Sequence, residues 1–287
     1  MLRSGRNLLS QRIIPMRAIT FALGLTAMTH IAQADCQPID FLTLALPQSG
    51  DPVEIALEAA YPGADIDTGA GTFRTPDGTV IPYAPARNVD PGARLDDATL
   101  GDMFINHYPL DFDLTARQTA WFDPGRVRNE AFFQALYFDN EASASASLTT
   151  VIYTGPALRT TFAMTTKNCV ATQLAAVLAQ IEGMAINFDP YFDQAGGSFN
   201  WRVIAGTDRM SSHSFGTAID INTELGGYWR WTGVAEGQVT DYDNKIPENL
   251  VREFERFGFI WGGKWNHFDG MHFEYRPEMI LYGRLEN

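Results

Sequence analysis

Two short segments in the last third of the chain alternate apolar with polar residues, and this alternation constrains the fold more than any other feature. Residues 218–221 and residues 271–275 both show it, with Asp220 on the polar side of the first segment and His272 on that of the second. A period of two residues is that of a β-strand with one buried face. If both strands share a sheet, their apolar sides form the core, and Asp220 lies near His272. We therefore predict an α+β fold: a small antiparallel sheet that carries a polar site on its open face, flanked by helices, with a mixed N-terminal extension.

A second histidine can reach the same face of the sheet. His213 precedes Asp220 in sequence and is separated from it by a turn at Gly216. Two imidazoles and a carboxylate are what a catalytic zinc site supplies when its fourth position stays open for water. We predict one Zn²⁺ per chain, held by His213, Asp220 and His272. Asp269 lies close before His272 and can act as general base without being a ligand.

These residues form a motif that resembles a known family. Residues 211–220 read S-x-H-x-x-G-x-A-x-D, and an acid-x-x-H pair follows at residues 269–272. The pattern resembles the zinc D-alanyl-D-alanine carboxypeptidases and L-alanyl-D-glutamate endopeptidases, whose fold has hedgehog proteins among its relatives. The resemblance is strong across residues 168–280 and weaker upstream, where residues 123–126 are similar to a segment that precedes the peptidase part of similar exported proteins. Segments similar to the VanY-like endopeptidase branch lie at residues 199–202, 206–207, 261–265 and 271–277.

The resemblance implies a role for each residue of the motif. His213, Asp220 and His272 match the zinc ligands of the family. Asp269 matches its catalytic acid, as an aspartate where the dipeptidase branch has glutamate.

The resemblance also implies residues that support the reaction. The family uses an arginine ahead of the first ligand to steady the substrate carbonyl and the developing oxyanion. Arg202 matches this arginine best, and Arg209, which is closer to the first ligand, is the alternative. Ser211 would contact the substrate or support a ligand, and Glu274 would orient the neighbouring histidine or its strand. Apart from the resemblance, His267 could be a further metal ligand, a contact to the substrate or to a ligand, or a structural residue.

The reaction implied by the resemblance is hydrolysis of an amide bond in the peptide stem of peptidoglycan. The enzyme would be an endopeptidase or a carboxypeptidase that removes a terminal D-alanine. A non-catalytic, zinc-containing cell-wall binding protein is the alternative, but the presence of both Asp269 and Arg202 argues against it. A peptidase for general protein substrates is a third hypothesis. A Ser-His-Asp triad made of Ser211 or Ser212, His213 and Asp220 is a further alternative. It is disfavoured because neither serine lies in the sequence of a nucleophile elbow.

The N-terminus predicts export. Residues 1–34 contain four arginines and no acid, with an apolar run at residues 18–28 and a small-x-small site at residues 32–34. This is the pattern of a signal peptide cleaved after Ala34, and the run is too short for a membrane anchor, which needs about 20 residues. We expect a protein of the periplasm or the cell exterior, without an integral membrane segment after cleavage. The predicted divisions are a signal peptide at 1–34, an extension at 35–165 and a peptidase domain at 166–287.

The net charge of the mature chain limits the classes of molecule that it can bind. All 34 acidic residues follow residue 34, whereas four of the 21 basic residues precede it, so cleavage changes the net charge from −13 to −17. A surface with this excess of negative charge disfavours binding to nucleic acid and to anionic membranes. The expected partners are the stem peptides of peptidoglycan, which the resemblance implies.

Two cysteines, Cys36 and Cys169, remain after cleavage. In an oxidising compartment an even pair most simply forms one disulfide. The bond would tie the new N-terminus to the body of the protein. Two free, buried thiols are the alternative.

Local patterns predict further elements. Turn residues between alternating segments predict hairpins at residues 72–83 and 148–164. Capping residues and apolar spacing predict helices, and the run of alanine and serine at residues 142–147 is expected to be a loop. The predicted helices lie at residues 96–104, 129–137, 168–184, with Asn168 as N-cap, and 247–257.

Overall fold

A computed structural model of the chain describes residues 1–2, 36–240 and 242–286. Contacts divide the chain into two units, Met1–Asp35 and Cys36–Asn287. The fold described below is that of the second unit. The predicted signal peptide and its cleavage site lie outside the described residues, apart from the first two.

Within the described residues, nine strands form three antiparallel sheets. The strands are β1 (Asp65–Asp67), β2 (Thr72–Arg74), β3 (Val80–Pro82), β4 (Leu148–Thr154), β5 (Arg159–Thr165), β6 (Ala195–Gly197), β7 (Ala218–Asn222), β8 (Phe259–Trp261) and β9 (His272–Tyr275). The first sheet has the order β1-β2-β3, the second is the hairpin β4-β5, and the third has the order β6-β7-β9-β8.

Helices pack against these sheets, and the helices at Val170–Glu182 and Glu248–Arg256 also pack against each other. The fold is therefore α+β, as predicted. No helix among the described residues is long and apolar enough to cross a membrane. The α-helices are α1 (Pro52–Ala60), α2 (Pro91–Asp96), α3 (Glu130–Leu136), α4 (Glu141–Ala146), α5 (Val170–Glu182), α6 (Asp189–Phe192), α7 (Thr223–Gly226), α8 (Glu248–Arg256) and α9 (Pro277–Glu286).

The third sheet has the register that the alternating segments predict. β7 pairs with β9 so that Asp220 lies opposite His272 and Ile219 opposite Phe273. Ile219 and Phe273 are fully buried, and Phe273 stacks on Phe254 of α8 with ring centroids 4.0 Å apart. Burial of these side chains fixes the register, because a slip of one residue would move them to the polar face.

The residues before the peptidase segment share its hydrophobic core. The ring of Phe133 in α3 stacks on Phe215 at 5.7 Å, and that of Phe112 stacks on Trp261 at 5.7 Å. The predicted disulfide is present between Cys36 and Cys169, with Cα atoms 5.5 Å apart. The domain boundary at residue 165 stays a prediction.

Most local predictions are confirmed, and three are wrong. Both hairpins form, and the predicted second, third and fourth helices correspond to α3, α5 and α8. The expected loop at residues 142–147 lies largely in α4, because Asn140 caps this helix through the Ser143 N–H. The helix expected at residues 96–104 does not form: α2 is capped by Asp90 and already ends at Asp96, and only Gly101–Phe104 form a 3₁₀ turn. The proposed cap Asn168 has a left-handed backbone with φ 50°, outside α5.

Candidate metal centre

The three predicted zinc ligands come from two neighbouring strands and from the turn before one of them. A 3₁₀ helix at Ser212–Phe215 carries His213. Gly216 then turns the chain with φ 66°, a left-handed conformation that glycine adopts without a Cβ clash. The chain enters β7 directly afterwards, so His213 faces Asp220 from one side while His272 faces it from β9.

The ligand atoms form a small triangle. His213 Nε2 lies 3.3 Å from Asp220 Oδ1 and 3.3 Å from His272 Nδ1, and His272 Nδ1 lies 2.9 Å from Asp220 Oδ1. Tetrahedral ligands at zinc distances of about 2.0–2.1 Å lie about 3.3 Å from one another. The triangle therefore has nearly the size that zinc requires, and the three residues can hold a metal ion on the sheet.

The other ring nitrogen of each histidine is held by an acceptor. His213 Nδ1 lies 2.5 Å from the carbonyl oxygen of Ser198, and His272 Nε2 lies 3.1 Å from Oε2 of Glu274. Because a carbonyl and a carboxylate only accept hydrogen bonds, these outward nitrogens carry protons. The inward nitrogens are then the ones available to a metal, and the hydrogen bonds fix both rings in the orientation that metal binding needs.

Charge in the triangle favours a cation. Burial alone would raise the pKa of Asp220, but the adjacent imidazoles of His213 and His272 outweigh it and hold this pKa far below its usual range. Burial would lower the pKa of His272, yet hydrogen bonds to Asp220 and Glu274 raise it to about 10. The centre thus stabilises positive charge, whether a proton supplies that charge or a metal ion that displaces the proton.

Asp269 is a half-buried residue that lines the same cleft as the ligands. Its Oδ1 has no hydrogen-bond partner among the described residues, and its backbone N–H donates to the carbonyl of Gly262 at 3.0 Å. Burial, followed by the charge of Asp220, raises the pKa of Asp269 to about 7. A carboxyl group with a pKa near neutrality can both accept and return a proton, as a general base and acid must.

Glu274 lies behind His272 and is held by two arginines. Arg128 donates to both of its carboxylate oxygens, with Nε 3.3 Å from Oε1, and Arg276 Nη1 lies 3.1 Å from the same oxygen. Glu274 is fully buried, but the positive charge of Arg128 outweighs burial and holds the pKa of Glu274 well below its usual range. The sequence predicts the position of Glu274 but not Arg128, which lies 146 residues earlier.

His267 lies in the wall of the cleft, with both ring nitrogens engaged. Its Nδ1 lies 2.6 Å from Asp123 Oδ2, and its Nε2 accepts a hydrogen bond from the Gly237 N–H at 2.7 Å. The ring packs between Trp121 and Trp229, with centroids 4.9 Å away in each case. In this arrangement no ring nitrogen of His267 remains for a metal. The histidine joins the extension, at Asp123, to the cleft wall.

The predicted arginines both line the cleft, in different surroundings. Arg202 is exposed, and its guanidinium is 3.4 Å from the carbonyl oxygen of Val203. Arg209 is more enclosed, with 17% of its side chain exposed. Arg126 and Arg230 also line the cleft, although the sequence did not predict them as site residues. The similarity of residues 123–126 to segments of exported peptidases is the signal that pointed to this region.

The serines beside the first ligand have structural partners. Ser211 Oγ accepts a hydrogen bond from the backbone N–H of His213 at 3.4 Å. Ser212 is buried, and its hydroxyl lies 3.4 Å from His272 Nε2 rather than beside the ring of His213. This arrangement does not favour the serine triad considered above.

Aromatic side chains form part of the cleft. Trp229 and Trp265 are buried and Trp231 is exposed, and all three line the cleft. Trp261 belongs to the core, where it stacks on Phe273. The cleft has a volume of about 320 Å³.

Comparison with protein families supports a metallopeptidase. The model of a family described as D-alanyl-D-alanine carboxypeptidase matches residues 205–275. The matched segment contains the three candidate ligands and Asp269, and it implies a hydrolase of the metallopeptidase class. Comparison with curated proteins and with solved structures gives no significant match.

Proposed function

We propose that the protein is an exported zinc peptidase that hydrolyses an amide bond in the peptide stem of peptidoglycan. The observation that carries this proposal is the convergence of ligand atoms from His213, Asp220 and His272 in the cleft that Asp269 also lines. The family match includes all four residues and supports the assignment.

Each of these side chains has a distinct role in the proposed reaction. His213, Asp220 and His272 would hold Zn²⁺, and the chemistry that zinc supplies in such a site is polarisation of a carbonyl and activation of water. Asp269 takes a proton from the attacking water and later gives it to the leaving amine, for which a pKa near neutrality is suited. Arg202 donates hydrogen bonds to the carbonyl oxygen as negative charge develops on it.

Export is part of the proposal, because peptidoglycan lies outside the cytoplasm. The signal-like residues 1–34 support it. The disulfide between Cys36 and Cys169 agrees with an oxidising compartment. The periplasm and the cell exterior both satisfy these observations.

The proposal is tested by metal content and hydrolysis, measured on the same preparations. We expect about one zinc per chain in the mature protein and a zinc-dependent cut in purified stem peptides, detected by mass spectrometry. The size of the fragments identifies the bond: loss of terminal D-alanine indicates a carboxypeptidase, and a cut after L-alanine an endopeptidase.

Three variants separate metal binding from catalysis. His213→Ala should lose both zinc and activity, whereas Asp269→Asn should keep zinc and lose about 10²- to 10⁴-fold in rate. His107→Ala is the matched control, because this exposed histidine lies outside the cleft. Zinc without hydrolysis in the wild-type protein would instead support the non-catalytic wall-binding protein, and absence of zinc would overturn the proposal.

A further inference from the structure

A second pocket, rich in aromatic residues, lies beside the cleft of the candidate metal centre. Its volume of about 360 Å³ falls within the range of small-molecule sites, about 300–1,000 Å³. Tyr228 and Trp231 line both this aromatic pocket and the cleft, so the two spaces adjoin at these side chains. The lining of the aromatic pocket also includes Tyr242, Asp243 and Phe268. The proposed reaction gives these residues no role.

Backbone hydrogen bonds join the aromatic pocket to the loop that carries Asp269. Tyr228 forms an antiparallel β-bridge with Asp269, and the N–H of Gly270 donates to the carbonyl of Gly227 at 3.0 Å. Residues that face each other in such a bridge have Cα atoms about 4.5–5.5 Å apart. A ligand in the aromatic pocket is therefore bound about one residue away from the proposed general base.

Trp231 presents a large aromatic surface to solvent at the border between the pocket and the cleft. It is 65% exposed, whereas the other tryptophans of the chain are buried or half-buried. Tyr228 contacts its ring edge to face, with centroids 5.8 Å apart. The transfer of apolar surface out of water is favourable, so a ligand that covers this indole ring gains free energy from the contact.

The charged groups of the aromatic pocket indicate a ligand that donates hydrogen bonds and is not an anion. Asp243 is exposed, and its carboxylate forms no ion pair or hydrogen bond with another described residue. Ionised carboxylates only accept hydrogen bonds. Neither lysine nor arginine occurs among the described residues that line the pocket. A wholly apolar ligand would remove this carboxylate from water without replacing its hydrogen bonds, which is costly.

A sugar ring combines the two properties that the aromatic pocket selects. One face of a pyranose ring presents C–H groups, whose partial positive charge suits the negative face of an aromatic ring, and its hydroxyl groups donate hydrogen bonds to carboxylates. Trp231 and Asp243 supply these two partners. In peptidoglycan each stem peptide is bonded to an N-acetylated amino sugar of the glycan strand, so the proposed substrate carries a sugar at one end.

We propose that the aromatic pocket binds the sugar to which the stem peptide is attached, and that the protein therefore prefers stems on the glycan strand to free peptides. The inference rests on the proposed function, because it extends the substrate of the same site. The position of the pocket also favours one bond. An extended chain spans about 3.3–3.6 Å per residue, so the bond to the terminal D-alanine lies about 13–14 Å from the sugar, whereas the bond after L-alanine lies within one residue of it.

The test compares two substrates that contain the same stem peptide. In one the stem is attached to a disaccharide of N-acetylglucosamine and N-acetylmuramic acid, and in the other its N-terminus carries only a lactoyl group, so that both have the same charge and the same amide bonds. We expect kcat/KM of the zinc-loaded mature protein to be about 2- to 10-fold higher for the disaccharide substrate, the range for a contact with an aromatic ring. Mass spectrometry should locate the cut after L-alanine.

A second measurement does not depend on hydrolysis. Binding of an N-acetylglucosamine trimer to the mature protein is measured by calorimetry. Trp231→Ala should abolish this binding and bring the ratio of the two kcat/KM values toward one, whereas Trp231→Phe, which keeps an aromatic face, should retain part of both effects. Ile186→Ala is the matched control, because it removes an apolar side chain that is 48% exposed and lines neither the pocket nor the cleft. It should leave the binding and the ratio unchanged.

The outcomes separate this inference from the proposed function. Equal kcat/KM values for the two substrates overturn the sugar site, and so does a preference that survives in Trp231→Ala. An amine of the stem as the occupant of the pocket also predicts equal values, because both substrates contain it. Binding of the trimer without hydrolysis of either substrate supports the sugar site and contradicts the peptidase. Equal hydrolysis of both substrates without binding of the trimer does the reverse.

Discussion

The carboxylate of Glu274 connects two arginines to the candidate metal centre, and its neutralisation tests how that centre is built. Glu274→Gln keeps the size of the side chain and removes its charge. The carboxylate is fully buried and lies 3.1 Å from His272 Nε2. Loss of such a partner of a metal-binding histidine typically costs about 10- to 100-fold in metal affinity, which corresponds to about 1.4–2.7 kcal/mol. We expect the dissociation constant for zinc to rise by this factor.

The same substitution should also reduce stability. It leaves Arg128 and Arg276 without the charge that they share, and removal of one member of a buried ion pair costs about 3–5 kcal/mol. Arg276 retains its pairing with Glu278. We therefore expect the lower end of this range, about 3 kcal/mol, in the free energy of unfolding of the metal-free protein.

A matched substitution separates the two effects. Glu255 is equally buried, forms an ion pair with Lys264 at 2.6 Å, and does not line the cleft. Glu255→Gln should lower the free energy of unfolding, measured in urea, and leave the zinc affinity, measured against a chromophoric chelator, unchanged. If Glu274→Gln binds zinc as tightly as the wild-type protein, the orienting role of this carboxylate is refuted.

Three further predictions concern the scaffold. Replacement of Cys36 and Cys169 by serine opens a loop with a sequence separation of 133 and should lower the free energy of unfolding by about 5 kcal/mol; urea curves that coincide with those of the wild type would contradict this. Asp77 has its pKa lowered from 3.8 to about 2, because hydrogen bonds from neighbouring threonines outweigh burial. The stability advantage of the wild type over Asp77→Asn should therefore be full above the unfolded pKa of 3.8 and disappear as the pH falls to about 2; a constant difference in melting temperature across that window would exclude this linkage. Gly226→Ala places a methyl group 2.3 Å from the backbone nitrogen of Met271, next to a candidate ligand. The free energy of unfolding should fall by about 1–3 kcal/mol, and an unchanged value would show that the strand moves aside without cost.

The sequence was sufficient to predict the central sheet, because two local signals coincide there. The alternation around Asp220 and His272 defines which side chains face the core, and burial of the apolar side chains enforces the register that pairs them. The return of His213 to the same face depends on Gly216, a residue that tolerates a left-handed turn. These are short-range properties, so a single sequence reveals them.

Local helix signals were less dependable. The run of alanine and serine in α4 has no amphipathic pattern, and the helix depends on a cap at Asn140 and on its position before β4. The start of α2 likewise depends on Asp90, whose carboxylate accepts two backbone N–H groups. Capping residues also occur in loops, so the tertiary environment decides which of them begin a helix.

The amino-acid sequence by itself determined the candidate ligands, the acidic residue beside them and the pair of cysteines, because each depends on residue type and spacing within a short segment. The tertiary structure alone decided which charges surround them. Arg126 and Arg128 reach the cleft from a segment far upstream, and Arg209 is enclosed beside them with little acidic compensation. Electrostatic interactions act through space over several ångströms and ignore separation along the chain. The sign of the charge in the cleft is therefore a property of the folded protein, opposite to that of the chain as a whole.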